Sequence, residues 1–535
     1  MTMNLFLILL LLAISSPLTR AASVPQYGRW EQAFTARETA APETDLTLEF
    51  TSPTGKVRKI LGFWDGAATW RARFSPDETG RWKYRTHSLP PVQGLDGQTG
   101  SFECAKASMK SSFRHGPVRV SRNGRHFEHA DGTPFFWLGD TVWYGALLGT
   151  AQDWETYLSD REKKCFSVVH FNVVAPRNGV AADENGETSF TGVEKIEMNP
   201  KFYQRLDRRV DAVNAHGMLA AIVQTWGLRK EDSGNSLPEP QLIRLMRYLE
   251  ARYGANHVVW ILTGDAHYER EQGERFKRVG RAVFGDRPHA PTTLHPAGML
   301  FPFEPFREEK WLDFLIYQSG HGDDAPTLQW IHSGPVTGFW QKTPARPLIN
   351  LEPPYEGHLG YQSHKPHTDY ATRRAIYCSL LNAPTAGVTY GAHGVWSWHT
   401  KPGEPPTDHP TTGAAPTWRE GLRFPGSTQM KYLGDFFSSI AWWQLVPDEK
   451  LLAAQPGGDD PARHVSVSRS EKSDLILLYL PVGGTVTLRP DVAVANLRAE
   501  WFDPRTGERS VFTNTAGNTF AAPDTRDWVL LLRRY

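Results

Sequence analysis

The chain has 535 residues, 22% of them charged, and a formal net charge of +1. That length predicts two to four domains, and the balanced charge argues against a nucleic-acid partner. The three cysteines, Cys104, Cys165 and Cys378, are scattered along the chain, so they predict neither a disulfide framework nor a zinc site.

An apolar run from Leu5 to Ile14 lies near the N-terminus and is followed by the small residues Ala21 and Ala22. The run is too short to span a bilayer, and small residues after such a run are typical of a secretory signal, although the usual basic residues before it are missing. The sequence therefore predicts a signal peptide at residues 1–22. We expect an exported protein, periplasmic or extracellular, with no membrane span after cleavage.

Residues 24–107 show the alternation of short strands separated by turns. "DLTLEFTSPTGKVRKILGFWDG" alternates on both sides of a break at residues 53–55, and "WRARFSPDETGRWKYRT" does so around a turn at residues 77–80. This pattern predicts a small N-terminal β-sandwich.

Residues 108–445 change to a rhythm of strand, loop and helix. Eight strand-like apolar runs occur: "PFFWLGD", "VVHFNVVAP", "LAAIVQTW", "VVWILTGD", "PTTLHP", "FLIYQSG", "PLINLE" and "GVTYGAHGVWSW". Amphipathic helices fall between several of them, such as "NPKFYQRLDRRVDAVNAHG", which Asn199 would cap and Gly217 would end. Eight strands with intervening helices predict a central (β/α)8 TIM barrel, although the helix between the fifth and sixth runs is poorly marked.

An open, doubly wound sheet is the alternative fold for this region. It lacks support because no GxGxxG or P-loop motif opens any of the predicted helices.

Residues 446–535 lose the helical period and read as strands joined by Gly, Asp and Pro turns, which predicts a C-terminal β-sandwich.

Two carboxylates end apolar strands of the predicted barrel: Asp265 ends the fourth run and Glu352 the seventh. Chemistry in this architecture occurs at the C-terminal ends of the strands, so both side chains are expected at one mouth. Two carboxyl groups ~5–5.5 Å apart suit a retaining glycosidase, and ~6.5–9.5 Å suits an inverting one. Three alternatives stay open: Asp265 as a helix cap, Glu352 as a loop ion-pair residue, and Glu356 as the nucleophile.

Other strand ends supply groups that a sugar site requires. The chain holds 19 Trp and 12% aromatic residues, and flat rings suit sugar faces as well as core packing. His170 and Asn172 alternate on one strand, so both are expected to point into the barrel. The predicted substrate-binding residues are Asp140, Trp143, His170, Asn172, Arg177, Trp226, His295, Tyr317, His321, Trp396 and Trp398.

The strand-end motifs "PFFWLGDTVW", "WILTGD", "YQSGHG" and "NLEPPYEG" resemble the apiosidase-like catalytic barrel of glycoside hydrolase family 140 and its relatives. The N-terminal "GFWDG" and "WRARFSPDETGRWKY" resemble the β-sandwich that often precedes such barrels. The C-terminal "LLYLPVGGTVTL" and "WFDPRTGE" resemble a proposed collagen-binding domain of a collagenase.

The resemblance implies a retaining glycosidase with Asp265 as acid/base and Glu352 as nucleophile, acting on a carbohydrate substrate. The family's own substrate does not carry over to this chain, and we expect a plant cell-wall carbohydrate, pectic ones foremost. The resemblance implies no metal and no organic cofactor. Most members of the wider clan carry Asn-Glu where this chain has Gly264-Asp265. Because Asp is one methylene shorter, we expect Gly264 to bring the backbone closer to the glycosidic oxygen.

The alternative function is a non-catalytic carbohydrate-binding or surface scaffold protein on a barrel fold. Such a protein would keep the tryptophans and the sandwiches without requiring both carboxylates. Proteolysis has little support, because the chain has neither an HExxH nor a GxSxG motif.

Overall fold

The computed structural model describes residues 23–107, 114–176, 180–285, 287–383, 386–406, 409–512 and 517–534. The predicted signal peptide and Arg177 lie outside the described residues. None of the described helices is long and apolar enough to cross a membrane.

The N-terminal part is a pair of facing sheets. One sheet has the strand order Ser23–Pro25, Thr99–Ala105, Gly80–Leu89, Asp45–Thr51 and Val57–Leu61. The other has the order Trp30–Thr35, Thr69–Phe74 and Phe63–Gly66. Alternate residues of these strands point inward, and Trp30, Trp70 and Trp82 are buried in a core of their own.

The central part is an eight-stranded parallel sheet that curves into a nearly closed barrel, as predicted. Its strands are β1 (Trp137–Thr141), β2 (Val168–Asn172), β3 (Leu219–Val223), β4 (Val258–Ile261), β5 (Thr292–Thr293), β6 (Leu315–Tyr317), β7 (Leu348–Asn350) and β8 (Gly387–Tyr390). They pair in the order β5-β4-β3-β2-β1-β8-β7-β6. All eight predicted strands are confirmed.

The seam between β5 and β6 is closed without a regular ladder. The backbone N–H of Asp313 donates to the carbonyl of Thr292 over 2.9 Å, and the Asp313 carboxylate accepts from the Thr292 N–H over 2.9 Å. The connection between these two strands contains only a 3₁₀ turn, Glu304–Phe306, which agrees with its weak helical pattern.

Helices cover the outside of the barrel. The predicted helix after β2 spans Pro200–Ala215; Asn199 caps it by accepting from the Lys201 N–H, and Gly217 beyond its end has a positive φ of 76°. The other α-helices are Gly145–Leu148, Ala151–Lys163, Ser233–Ser236, Glu239–Tyr253, Arg270–Val283, Ala325–Ser333, Pro335–Trp340, Asp369–Asn382, Trp418–Gly421 and Pro425–Ser438.

Short sheets and turns complete the barrel region. Strands Val118–Val120, Phe127–His129 and Pro134–Phe135 form a small sheet ahead of β1, and Phe190–Thr191 pairs with Glu197–Met198 in the loop after β2. Further 3₁₀ turns are Pro410–Thr412, Trp442–Gln444, Glu449–Leu451 and Pro461–Arg463.

The C-terminal part is a six-stranded antiparallel sheet with a two-stranded sheet beside it. The larger sheet has the order Leu445–Pro447, Ser466–Ser470, Leu475–Leu480, Trp528–Arg534, Leu497–Phe502 and Arg509–Phe512. The smaller sheet pairs Thr485–Thr487 with Thr519–Ala521. The chain is therefore a TIM barrel flanked by two β-sheet domains.

Both flanking domains dock on the barrel through buried charge. Arg73 of the N-terminal domain and Arg252 of the barrel share the Asp207 carboxylate, at 2.6 and 2.7 Å. On the other side, Arg373 of the barrel pairs with Asp527 of the C-terminal domain over 2.7 Å, and both side chains are buried. Removal of one partner would leave an uncompensated buried charge, so these pairs constrain how the domains sit.

Candidate active site

The C-terminal ends of β4 and β7 bring Asp265 and Glu352 to one cavity of about 390 Å³. One carboxylate oxygen from each residue and one ring nitrogen of His295 all lie within 4.8 Å of one another. His295 follows β5, between the two carboxylate-bearing strands in chain order. The barrel therefore places two acidic groups and a histidine at the same mouth.

The backbone at Asp265 is in the left-handed region, with φ of 49°. Non-glycine residues rarely adopt this conformation, which concentrates at functional sites. A Cβ at the preceding Gly264 would lie 2.0 Å from Cζ3 of Trp226. Gly264 thus lets the Trp226 indole lie directly against the turn that carries Asp265.

Glu352 is buried and is held between two histidines. His321 Nε2 lies 3.1 Å from Glu352 Oε1, and His295 Nε2 lies 3.3 Å from Glu352 Oε2. Burial alone would raise the pKa of Glu352, but the two histidines outweigh it and hold the pKa well below its usual range. Glu352 is therefore ionised, as a carboxylate nucleophile has to be.

The tautomer of His321 follows from its second contact. Its Nδ1 accepts the backbone N–H of Tyr355 over 3.4 Å, so in the neutral ring the proton is on Nε2. That N–H then points at Glu352 and donates to it. His321 orients the carboxylate without having to carry a charge.

Asp265 has a different partner, Gln318, which follows β6. The Gln318 amide donates to Asp265 Oδ1 over 2.5 Å and to the carbonyl of Pro296 over 3.0 Å. His295 Nδ1 lies 3.6 Å from the same Asp265 oxygen. Asp265 is thus fixed from one side by an amide and faced from the other by the histidine that also contacts Glu352.

Aromatic side chains form much of the cavity wall. Trp143, Trp226, Tyr355 and Trp396 line it, and the rings of Trp143 and Trp226 meet edge to face with centroids 5.0 Å apart. Large apolar residues at its mouth are exposed: Leu228 and Met299 by 36% and Tyr361 by 49%. Flat rings and an apolar mouth suit the faces of sugar rings.

The sequence-predicted residues divide between the cavity and its surroundings. Those that line the cavity are Asp265, Glu352, Trp143, Trp226, His321 and Trp396. His295 lies against both carboxylates and is fully buried. Arg177 lies outside the described residues.

Asp140 and Tyr317 do not line the cavity, and strand alternation explains why. Thr141 of β1 points into the barrel, where its hydroxyl lies 2.9 Å from His170 Nε2, so the neighbouring Asp140 points outward. There Asp140 accepts from the Tyr157 hydroxyl and from Arg161 Nε, each over 2.7 Å. Tyr317 packs outside β6 against Trp330, with ring centroids 5.7 Å apart. Their assignment to substrate binding was wrong.

His170, Asn172 and Trp398 also lie away from the cavity. His170 is fully buried beneath the site, with its ring centroid 4.5 Å from that of Trp143. Asn172 lines a separate pocket of only about 10 Å³. Trp398 stacks on Trp418 at 4.5 Å and 9°, so it cannot form the floor under a sugar ring.

The three alternative roles for the carboxylates find no support in the geometry. The helix after Asp265 is Arg270–Val283 and its N-cap residue is Glu269, so Asp265 does not cap it. Glu352 contacts histidines of the cavity rather than a surface cation. Glu356 lies outside the cavity, where it accepts from the Tyr390 hydroxyl over 2.6 Å and from the Gly426 N–H over 3.0 Å.

The sequence analysis missed the cavity residues Leu228, Met299, Tyr355 and Tyr361. Tyr355 follows Glu352 by three residues in "NLEPPYEG", so the proline-rich turn could have indicated it. The other three lie on loops, where no periodicity marks a side chain as facing the site.

The atoms of Asp265, His295 and Glu352 are also close enough together to surround a metal ion. His295 Nδ1 lies 3.0 Å from the carbonyl of Pro296, and its Nε2 lies 3.3 Å from Glu352 Oε2.

Three parts of the chain match known family models. Residues 121–444 match the apiosidase-like catalytic domain, residues 23–89 match a domain of unknown function, and residues 446–533 match a proposed collagen-binding domain of a collagenase. No curated protein matches the chain.

Several solved structures are similar over most of the chain. One described as a glycoside hydrolase is 23% identical, with a TM-score of 0.71, and the match covers 80% of this chain and 99% of that one. A glycoside hydrolase family 5 protein from Bacteroides vulgatus is 22% identical, with a TM-score of 0.70 and coverages of 79% and 94%. A proposed glycoside hydrolase from the same species is 18% identical, with a TM-score of 0.71 and coverages of 96% and 100%.

At these identities the solved structures show the shared fold, and the family model carries the assignment. The model spans residues 121–444, which is more than half of the 535 residues. The chain therefore belongs to the apiosidase-like family and is a glycosidase.

Proposed function

We propose that the protein is an exported retaining glycosidase that acts on plant cell-wall carbohydrate, pectic carbohydrate foremost, with Asp265 as acid/base and Glu352 as nucleophile. The observation that carries this proposal is the spacing of the carboxylates, which have oxygens within 4.8 Å of each other in one cavity. Oxygens this near each other are compatible with the ~5–5.5 Å separation of the carboxyl groups in retaining enzymes.

The reaction takes place in two steps. In the first, Asp265 protonates the leaving oxygen while Glu352 attacks the anomeric carbon and forms a glycosyl ester. In the second, Asp265 accepts a proton from a water, whose oxygen attacks the same carbon and releases Glu352. The ionised state of Glu352 and the amide that fixes Asp265 fit these roles.

The substrate class and the compartment rest on different observations. The apiosidase-like family model supports a pectic substrate, because apiose is a sugar of pectic side chains. The aromatic walls support a carbohydrate ligand in general. Export is supported by the apolar run and small residues of segment 1–22.

The first test is sugar release from a panel of plant cell-wall polysaccharides and oligosaccharides, pectic ones foremost. The variants Glu352→Gln and Asp265→Asn should each lose the sugar release that the wild type shows. Glu356→Gln serves as the matched control. Proton NMR of the nascent product reports whether the first anomer formed has the configuration of the substrate. Inversion, or activity that survives in both variants, would refute the mechanism.

Azide can assign the two roles. With Glu352→Ala, azide should replace the nucleophile and give a glycosyl azide of inverted configuration. With Asp265→Ala, azide should attack the glycosyl-enzyme and give a retained product. The opposite pattern would exchange the two roles.

A further inference from the structure

His295 has a contact pattern that the two-carboxylate scheme does not use. The ring is fully buried, so bulk water does not reach it. Its Nδ1 lies 3.0 Å from the carbonyl of Pro296 and 3.6 Å from Asp265 Oδ1, and its Nε2 lies 3.3 Å from Glu352 Oε2. Each ring nitrogen therefore has an oxygen atom within 3.3 Å: Nδ1 is hydrogen-bonded to the Pro296 carbonyl, and Nε2 makes a close contact with Glu352 Oε2 that is not aligned as a hydrogen bond.

The contacts of the His295 ring indicate which of the site's groups carry a proton. A neutral imidazole has one N–H and one lone pair, so here it would leave a lone pair close to either the Pro296 carbonyl or the Glu352 carboxylate. A second proton on the ring, or a proton on Glu352, removes that repulsion. Because the nucleophile has to be ionised, the proton belongs on His295, which is then an imidazolium between two carboxylates.

The titratable groups around the ring agree with this charge. They are Asp265 beyond β4, Glu352 beyond β7, His170 of β2 and Tyr268. Burial alone would lower the pKa of His295, but Glu352 and Asp265 outweigh it and raise the pKa above its ordinary value. Burial and the charge on His295 lower the pKa of His170 to about 3, and burial keeps the pKa of Tyr268 far above its usual range, so neither competes for the charge.

We propose that His295 stores the proton that Asp265 delivers to the leaving oxygen; this inference rests on the proposed function. In the first step His295 Nδ1 and Asp265 Oδ1 close from 3.6 Å to hydrogen-bond distance, and a proton moves from this nitrogen to Asp265 and from Asp265 to the leaving oxygen as the glycosidic bond breaks and the bond to Glu352 forms. In the second step Asp265 takes a proton from the attacking water and returns it to His295. Protons balance over the cycle, and no electron transfer occurs.

The charge on Glu352 explains why the proton would move at the right moment. While Glu352 is ionised, its attraction holds the proton on His295. When Glu352 becomes a neutral ester, that attraction vanishes and His295 becomes a better proton donor. Hydrolysis of the ester restores the carboxylate and with it the affinity of His295 for the proton.

The first experiment does not depend on activity. In the full-length protein labelled with ¹⁵N-histidine, the His295 signals, assigned by their loss in His295→Gln, should show both nitrogens protonated at pH 7. In Glu352→Gln they should change to a neutral ring, with the titration midpoint lower by more than one pH unit. His257→Gln is the matched control, because His257 is a buried histidine at the opposite end of β4.

Two results of this experiment would overturn the proposal. One is a neutral His295 at pH 7 in the wild type, or a titration that Glu352→Gln leaves unchanged. The other is a change in the His295 signals upon dialysis against EDTA, which would indicate a metal ligand instead of a proton store.

The second experiment compares leaving groups, using the sugar that the panel releases. With a saccharide leaving group, His295→Gln should lower the rate of the first step by about 10²-fold, the scale of general-acid assistance. With a 2,4-dinitrophenyl leaving group, which departs without a proton, the loss should stay below about tenfold. Equal losses with both would mean that His295 is only structural.

Failure of the two proposals can be told apart. If the wild type released no sugar, the proposed function would fail while the NMR result stood on its own. If the wild type were active but the losses did not depend on the leaving group, the proton store alone would fail.

Discussion

Glu352 and Glu356 lie four residues apart on one loop, and the structure gives these two buried carboxylates opposite surroundings. Glu352 faces His295 and His321, and its pKa is lowered. Glu356 faces the Tyr390 hydroxyl and the Gly426 N–H, and burial raises its pKa to about 7. The comparison teaches that burial alone does not make a nucleophile, since the partners decide whether the carboxylate is charged.

The difference between Glu352 and Glu356 is tested most directly by replacing each glutamate in turn with the uncharged glutamine. Glu352→Gln should lower kcat by about 10⁴-fold or more, because an amide cannot form the glycosyl ester. Glu356→Gln should stay within about twofold of the wild type, because the amide oxygen can still accept from Tyr390 and Gly426. Initial rates with the substrate from which the wild type releases sugar would measure kcat for both variants. A folded Glu356→Gln protein without activity would contradict the assignment.

His321 tests whether the partner sets the charge of Glu352. His321→Ala should lower kcat by about 10–100-fold, because the carboxylate loses a positioning hydrogen bond. The acidic limb of the kcat/KM profile should also move to higher pH, because Glu352 loses a group that lowers its pKa. His367→Ala, a variant of a buried histidine bonded to the His321 carbonyl, is the control for local packing. A fall in kcat with an unmoved acidic limb would mean that His321 acts through packing alone.

The fold and most of the site could be predicted from the sequence because both depend on strand ends. Each apolar run became a strand, and in a parallel barrel all C-terminal ends share one face, so Asp265, Glu352, His295 and His321 had to converge. Trp143, Trp226 and Trp396 follow the same rule.

The incorrectly placed residues are those whose side-chain direction does not follow from their position near a strand end. Asp140 and Tyr317 belong to strands whose facing was not known, and a shift of one residue moves a side chain from the inside to the outside. The Thr141–His170 contact defines the inner face of β1, but it is visible only in three dimensions. Trp398 lies in the irregular segment after β8, where no period predicts its stacking on Trp418.

The pH dependence of the unfolding free energy tests whether Glu356 is uncharged in the folded protein, in contrast to Glu352. The pKa of Glu356 rises from 4.5 to about 7 on folding, so its contribution to stability is fully present below pH 4.5 and is lost as pH rises through 7. Between pH 5 and pH 8, Glu356→Gln should therefore gain about 1–3 kcal/mol in unfolding free energy relative to the wild type. Urea unfolding of the barrel at both pH values would measure this. A constant difference would mean that Glu356 is already ionised in the fold.

The smallest expected effect concerns the apolar mouth. The Gly227 N–H bonds to the Gly264 carbonyl and the Met299 N–H bonds to the Gln318 carbonyl, each over 2.9 Å, so Leu228 and Met299 flank the residue that would protonate the leaving group. Leu228→Ser with Met299→Ser should raise KM by a few-fold for an aryl leaving group with little change in kcat, because uniform binding is lost. Val193→Ser with Val511→Ser is the matched control, since these side chains are 49% and 53% exposed elsewhere on the surface. If both pairs changed KM equally, the mouth would not contact the leaving group. If the mouth variants alone changed it, the Asp265 side of the cavity would be the leaving-group side, as the acid role of Asp265 requires.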